Sequence, residues 1–170
     1  MANRPPAELD FIEQLIQYRL NNLQGNGVGL EVPVFPEAGT RQFRIQPFAL
    51  QYQLSAEELI LLWIALVPHV KGDLFDGAIQ KKLNAPGDFP ELGGVRGKNF
   101  RGFLPTGETA LFLLAGNDME KRLQVQQLFG PDHFFSKNKI LWLEEVPAGE
   151  PVMSGKIILQ QEYVDLFRIG

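Results

Sequence analysis

Cysteine is absent from the 170 residues, and histidine occurs only twice. The first absence excludes disulfide frameworks, thiolate zinc sites, iron–sulfur clusters and cysteine nucleophiles within this chain. The second leaves little material for a histidine-rich metal site. Long apolar runs are missing too. The longest, Leu59 to Val67, falls far short of the roughly 20 residues a helix needs to cross a bilayer. The opening Met1-Ala2-Asn3-Arg4-Pro5-Pro6 lacks the apolar stretch of a signal peptide. These absences predict a soluble, cytoplasmic protein with no membrane partner. The apolar ending Leu166-Phe167-Arg168-Ile169-Gly170 has no polar tail, as expected of a fragment of a longer chain.

Hydrophobic residues make up 45% and charged residues 21%, which excludes wholesale disorder and fits one globular domain with an appended arm. Charge is unevenly spread. Residues 1–92 hold 7 basic and 11 acidic groups (net −4), residues 93–139 hold 7 and 4 (+3), and residues 140–170 hold 2 and 5 (−3). A net acidic chain is a poor starting point for non-specific nucleic-acid binding, which draws on neutralised phosphates.

Periodicity and punctuation divide the chain. Pro5 and Pro6 suit a first helical turn, and Leu9, Ile12, Leu15, Ile16, Leu20 and Leu23 fall on one stripe, so 6–24 reads as an amphipathic helix stopped by Gly25. The Gly- and Pro-rich 25–40 reads as a loop with one short extended piece at Leu30–Val34. Partial alternation over Arg41–Tyr52, interrupted by Pro47, predicts an edge strand or two short pieces. Ser55-Ala56-Glu57-Glu58 has the form of a capping box, and Leu59–Val67 is apolar all round, predicting a central core helix that Pro68 bends or ends. A shorter helix follows at 73–84.

Residues 85–107 form an irregular Gly- and Pro-rich loop, with Phe89, Phe100, Phe103 and Leu104 to dock it. Thr106 is placed to cap a helix at 108–115. Gly116-Asn117 makes a tight turn, and Asp118 is placed to cap a second helix, Met119 to Phe129, ended by Gly130-Pro131. Lys139–Glu144 and Lys156–Gln160 read as strands, and Gln161–Phe167 as a last helix. Helix, tight turn, helix and hairpin is the order of a winged helix-turn-helix. The expected fold is therefore α+β and mostly helical: an N-terminal helical arm (1–52), then a winged helix-turn-helix-like domain with a two-stranded hairpin (53–170).

Motifs that carry chemistry are few in this chain. Gly93-Gly94-Val95-Arg96-Gly97-Lys98-Asn99 is not a phosphate loop: three residues, not four, separate Gly93 from Gly97, and Asn99 stands where a magnesium-binding hydroxyl belongs. His69 and Asp73 are four apart, but no third ligand is near. No Gly-x-Ser-x-Gly elbow accompanies Ser55, Ser136 or Ser154, and Ser55 is committed to a cap. Glu57 and Glu58 are explained by the helix dipole, and no catalytic residue is expected. Two clusters could meet a partner. Arg96, Lys98 and Arg101 with Phe100 and Phe103 suit an anion or a nucleic-acid strand, or else form a solvated loop pinned by its aromatics. Lys121, Arg122 and Gln124 lie on the second helix of the turn motif, where such residues read base edges. Against DNA, the hairpin region carries Glu144, Glu145 and Glu150 with Lys156 as its single basic residue, and a wing laid along phosphates should be basic.

The segment Glu91-Leu92-Gly93-Gly94-Val95-Arg96-Gly97-Lys98-Asn99-Phe100-Arg101-Gly102-Phe103-Leu104-Pro105-Thr106-Gly107-Glu108-Thr109-Ala110-Leu111 resembles one found in certain bacterial AAA-type ATPases. The similarity is to the non-catalytic winged-helix variant that precedes their ATPase module. It extends over about residues 40–168 through Val125–Phe129, Lys139–Glu144 and Glu162–Leu166. The resemblance implies a non-catalytic module that presents a protein-interaction or regulatory surface to a protein partner or to its own ATPase module. It also implies that ATP and magnesium bind only downstream, and that this segment holds no cofactor. The alternative from another class is a nucleic-acid-binding winged helix, and a third is a small-ligand or anion pocket lined by Phe100, Arg101 and Phe103.

Overall fold

A computed structural model describes residues 6–23, 31–36, 43–82 and 91–168. Helix α1 (Ala7–Leu23) starts just after Pro6, whose carbonyl accepts from the Leu9 and Asp10 N–H groups. Its stripe Leu9, Ile12, Leu15, Ile16 and Leu20 is buried, as the periodicity predicts. Helices α2 (Ile45–Gln51), α3 (Ala56–Val70) and α4 (Leu74–Lys82) follow, and α1 packs against α4. Then come α5 (Gly107–Ala115), α6 (Met119–Gln126) with a 3-10 turn at Gln127–Phe129, and a one-turn α7 (Phe134–Lys137). Strand β1 (Leu141–Leu143) and strand β2 (Ile157–Leu159) precede the last helix, α8 (Gln161–Arg168).

Helix α3 occupies the centre. Ser55 accepts from the Glu58 N–H at 3.1 Å while Glu58 accepts from the Ser55 N–H at 2.8 Å, closing the expected capping box. Every residue from Leu61 to Val67 is buried. A helix apolar on all sides needs neighbours on all sides, and α1, α2, α5, β2 and α8 supply them. One buried cluster runs from Leu9 to Phe167.

Strands β1 and β2 pair antiparallel in the register Leu141–Leu159, Trp142–Ile158, Leu143–Ile157. The other edge of β2 is covered. Thr106 bridges Lys156, and the Ile157 N–H donates to the Pro105 carbonyl at 2.9 Å. The described chain is thus a mostly helical α+β structure with a two-stranded antiparallel hairpin.

Several expectations need correction. Residues 45–51 are a helix, not an edge strand: Pro47 is the third residue of α2, where its missing N–H breaks no helical bond. Pro68 does not end α3, which runs on to Val70. Helix α7 was not anticipated. The segment 31–36 carries no strand pairing, and Leu30, Gly25 and Phe89 lie outside the described residues. The helix expected at 73–84 is seen over Leu74–Lys82, with 83–90 outside the described residues.

Candidate functional site

The first cluster of candidate residues sits on a loop built around Asp76. Arg96 grips both carboxylate oxygens of Asp76, each at 2.9 Å, and the Phe103 N–H donates to Oδ2 at 3.0 Å. Arg96 also donates to the Arg101 carbonyl at 3.2 Å. The Arg96 guanidinium, helped by the Phe103 N–H, holds the Asp76 carboxyl below its ordinary range despite partial burial. Val95 and Leu104 exchange both backbone hydrogen bonds, and the Gly97 N–H donates to the Phe100 carbonyl at 2.9 Å, so 95–104 is a small hairpin.

Phe103 is buried and stacks on Phe75, with ring centroids 5.1 Å apart. It anchors the loop, as an aromatic that pins it would, and does not belong to an exposed interaction surface. Gly94 lies against that ring at φ +97°, a conformation and a proximity that a side chain would not tolerate. Arg96 is tied down as well. Lys98 and Arg101 remain exposed at the tip with no ion-pair partner among the described residues, and Phe100 between them is 36% exposed. Three of the loop's N–H groups are already engaged: that of Gly94 by the Thr106 hydroxyl at 3.2 Å, and those of Val95 and Gly97 by carbonyls.

The second cluster is on α6, capped by Asp118, whose carboxylate accepts from the Lys121 N–H at 3.1 Å. Arg122 turns back to the Glu108 carboxylate and donates to the Gly116 carbonyl at 3.0 Å. Arg19 reaches the same end of α5, donating from Nε to the Leu113 carbonyl at 3.0 Å. Two guanidinium groups therefore sit at the negative end of α5. Lys121 lies 4.0 Å from Glu57, and Gln124 is exposed. Beside them α6 displays two apolar side chains one turn apart, Met119 (66% exposed) and Leu123 (56%).

One titratable pair was not foreseen. The His133 imidazole meets Glu58 Oε2 at 2.5 Å through Nε2, while its Nδ1 accepts from the Phe135 N–H at 3.0 Å as the N-cap of α7. Accepting at Nδ1 puts the ring proton on Nε2, which donates to Glu58. Burial pushes the Glu58 carboxyl up, but the Ser55 N–H and hydroxyl and the His133 ring outweigh it and leave it below its ordinary value. With both ring nitrogens engaged and Ser55 capping α3, serine, histidine and carboxylate form a structural tie and not a nucleophile relay. His69 lies in the last turn of α3, where partial burial and the Arg168 cation lower its pKa. Asp73 pairs with Lys71 at 3.2 Å, and no metal-holding cluster of His, Asp and Glu occurs among the described residues.

A groove of about 560 Å³ opens between Gly93–Val95, the start of α5 and the hairpin connection 144–156. Glu108, Glu144, Glu145 and Glu150 line it, and Lys156 is 3.8 Å from Glu144. The chain matches no family model, no curated protein and no solved structure.

Proposed function

We propose that this chain is a non-catalytic interaction module of the winged-helix kind, resembling the domain that precedes the ATPase module of bacterial AAA-type ATPases. Its surface meets a protein client or that ATPase module, and ATP and magnesium belong downstream. The order α5, tight turn, α6, hairpin supports the winged-helix reading, as does the 105–106 segment lying on the free edge of β2.

One observation carries the functional reading. Helix α6, the element a DNA-binding winged helix lays in the major groove, turns Arg122 in to Glu108, leaves Lys121 half-exposed 4.0 Å from Glu57, and offers Met119 and Leu123 to solvent. Exposed apolar side chains such as Met119 and Leu123 suit the core of a protein-contacting face. The wing is acidic at Glu144, Glu145 and Glu150, which opposes docking on phosphates.

The test is calorimetric titration of the chain against an AAA-type ATPase module encoded in the same genome. A saturable complex, lost in Leu123→Glu with the fold intact, is expected. ATP turnover by the 170-residue chain alone would overturn the non-catalytic reading. Low-salt binding to duplex DNA that weakens in a Lys121→Glu/Arg122→Glu variant would favour the nucleic-acid alternative.

A further inference from the structure

The groove beside the hairpin is lined by the apolar Val95, Val146 and Pro147 together with the carboxylates Glu108, Glu144, Glu145 and Glu150. Of these carboxylates, Glu108 faces Arg122 and Glu144 faces Lys156, but Glu145 and Glu150 have no cation partner among the described residues. The chain also carries the complement. Lys98 and Arg101 are exposed near the turn of the 95–104 hairpin and have no ion-pair partner among the described residues, while the Phe100 ring between them lies against Gly72 and Gly102. Two exposed cations match two exposed anions beside a partly apolar groove.

We propose that this groove receives the 98–101 tip of a second copy of the same chain. The tip is fastened to its own chain. Val95 lines the groove at the hairpin's base, the turn at its far end is closed by the Gly97–Phe100 hydrogen bond, and the Arg96–Asp76 pair holds the hairpin on α4. The contact is heterologous: each copy gives a tip and offers a groove, so it extends head to tail or closes into a ring. It uses neither Met119 nor Leu123, and so stands apart from the α6 face. With a net charge of −4, copies repel as whole bodies, and association rests on local complementarity. Added salt weakens it because both patches are exposed.

Sedimentation velocity at low salt over a wide concentration range tests this with the chain alone. The wild type should gain mass with concentration and lose that gain at high salt. Lys98→Glu/Arg101→Glu and Glu145→Lys/Glu150→Lys should each raise the apparent Kd about tenfold or more. Mixing the two charge-reversed variants should restore association, because acidic tips then meet basic grooves and basic tips meet acidic grooves. All four positions are exposed, and circular dichroism checks that the variants fold. A wild type that stays monomeric overturns the proposal. So does association unchanged in both variants, or a mixture that fails to recover it.

Discussion

His133 donates to Glu58 across 75 residues of chain, at 2.5 Å, and so fastens the start of the central helix α3 to the cap of α7. The carboxylate serves twice, once in the Ser55 box and once on the imidazole. Its pKa lies below the ordinary 4.5, so the folded state favours the ionised form. That stabilisation is fully present above the unfolded value and is lost as pH falls through the lower folded one.

Glu58→Gln should therefore lower stability by about 1–2 kcal/mol near pH 7, a cap-sized loss. The gap to wild type should shrink as pH drops below the ordinary carboxylate range, where both chains carry a neutral side chain. Urea denaturation at a series of pH values reads this directly. A gap that stays constant into acid would mean that ionisation of Glu58 has no part in it.

Asp76→Asn should loosen the 91–106 loop. Arg96 is half exposed, so the ion pair itself adds only about 0.2–1 kcal/mol. Amide hydrogen exchange is the sharper readout. The Phe103, Val95 and Leu104 N–H groups should exchange faster, while those of α3 keep their rates. Unchanged exchange at Phe103 would show that the carboxylate does not hold the loop.

Gly94→Ala combines a positive φ with a collision against the Phe103 ring. A loss of about 2–4 kcal/mol is expected from strain and overpacking together. Thermal unfolding should register it, with Gly149→Ala as a comparison: its φ is +91° but nothing lies within 4 Å of the added Cβ, so only the strain remains.

Met119→Gln and Leu123→Gln should leave stability within about 0.5 kcal/mol of wild type, because both side chains already face water. Arg122→Ala should cost about 1 kcal/mol through the Glu108 and Gly116 contacts on α5. Chemical denaturation distinguishes them, and a large loss at Leu123 would make it a core residue.

Much of the fold is legible in the chain. The Ser55 box, the Thr106 and Asp118 caps and the stripe of α1 are local signals, and each lies where the residues place it. Helix α2 misleads because Phe43, Ile45 and Phe48 mimic alternation and Pro47 reads as a breaker. Its burial follows Ile45, Phe48 and Ala49, a three- and four-residue step that seven residues scarcely display. Helix α7 has four residues and a histidine cap, so neither periodicity nor a common capping residue announces it. The site is less legible. No sequence pattern links Asp76 to Arg96 or Glu58 to His133, and those pairings decide which basic side chains are free. They leave Lys98 and Arg101 unpaired among the described residues, tie the half-exposed Arg96 to Asp76 and draw Arg122 in against α5.

Helix α6 is proposed to present its Met119–Leu123 face to a protein. Titrating the chain with the AAA-type ATPase module, wild type against Leu123→Glu, tests it most directly. Saturable binding that the substitution abolishes, with no complex on duplex DNA at low salt, is the predicted result. Binding to DNA but not to the module, with a salt dependence that falls when Lys121 and Arg122 are reversed, would contradict it.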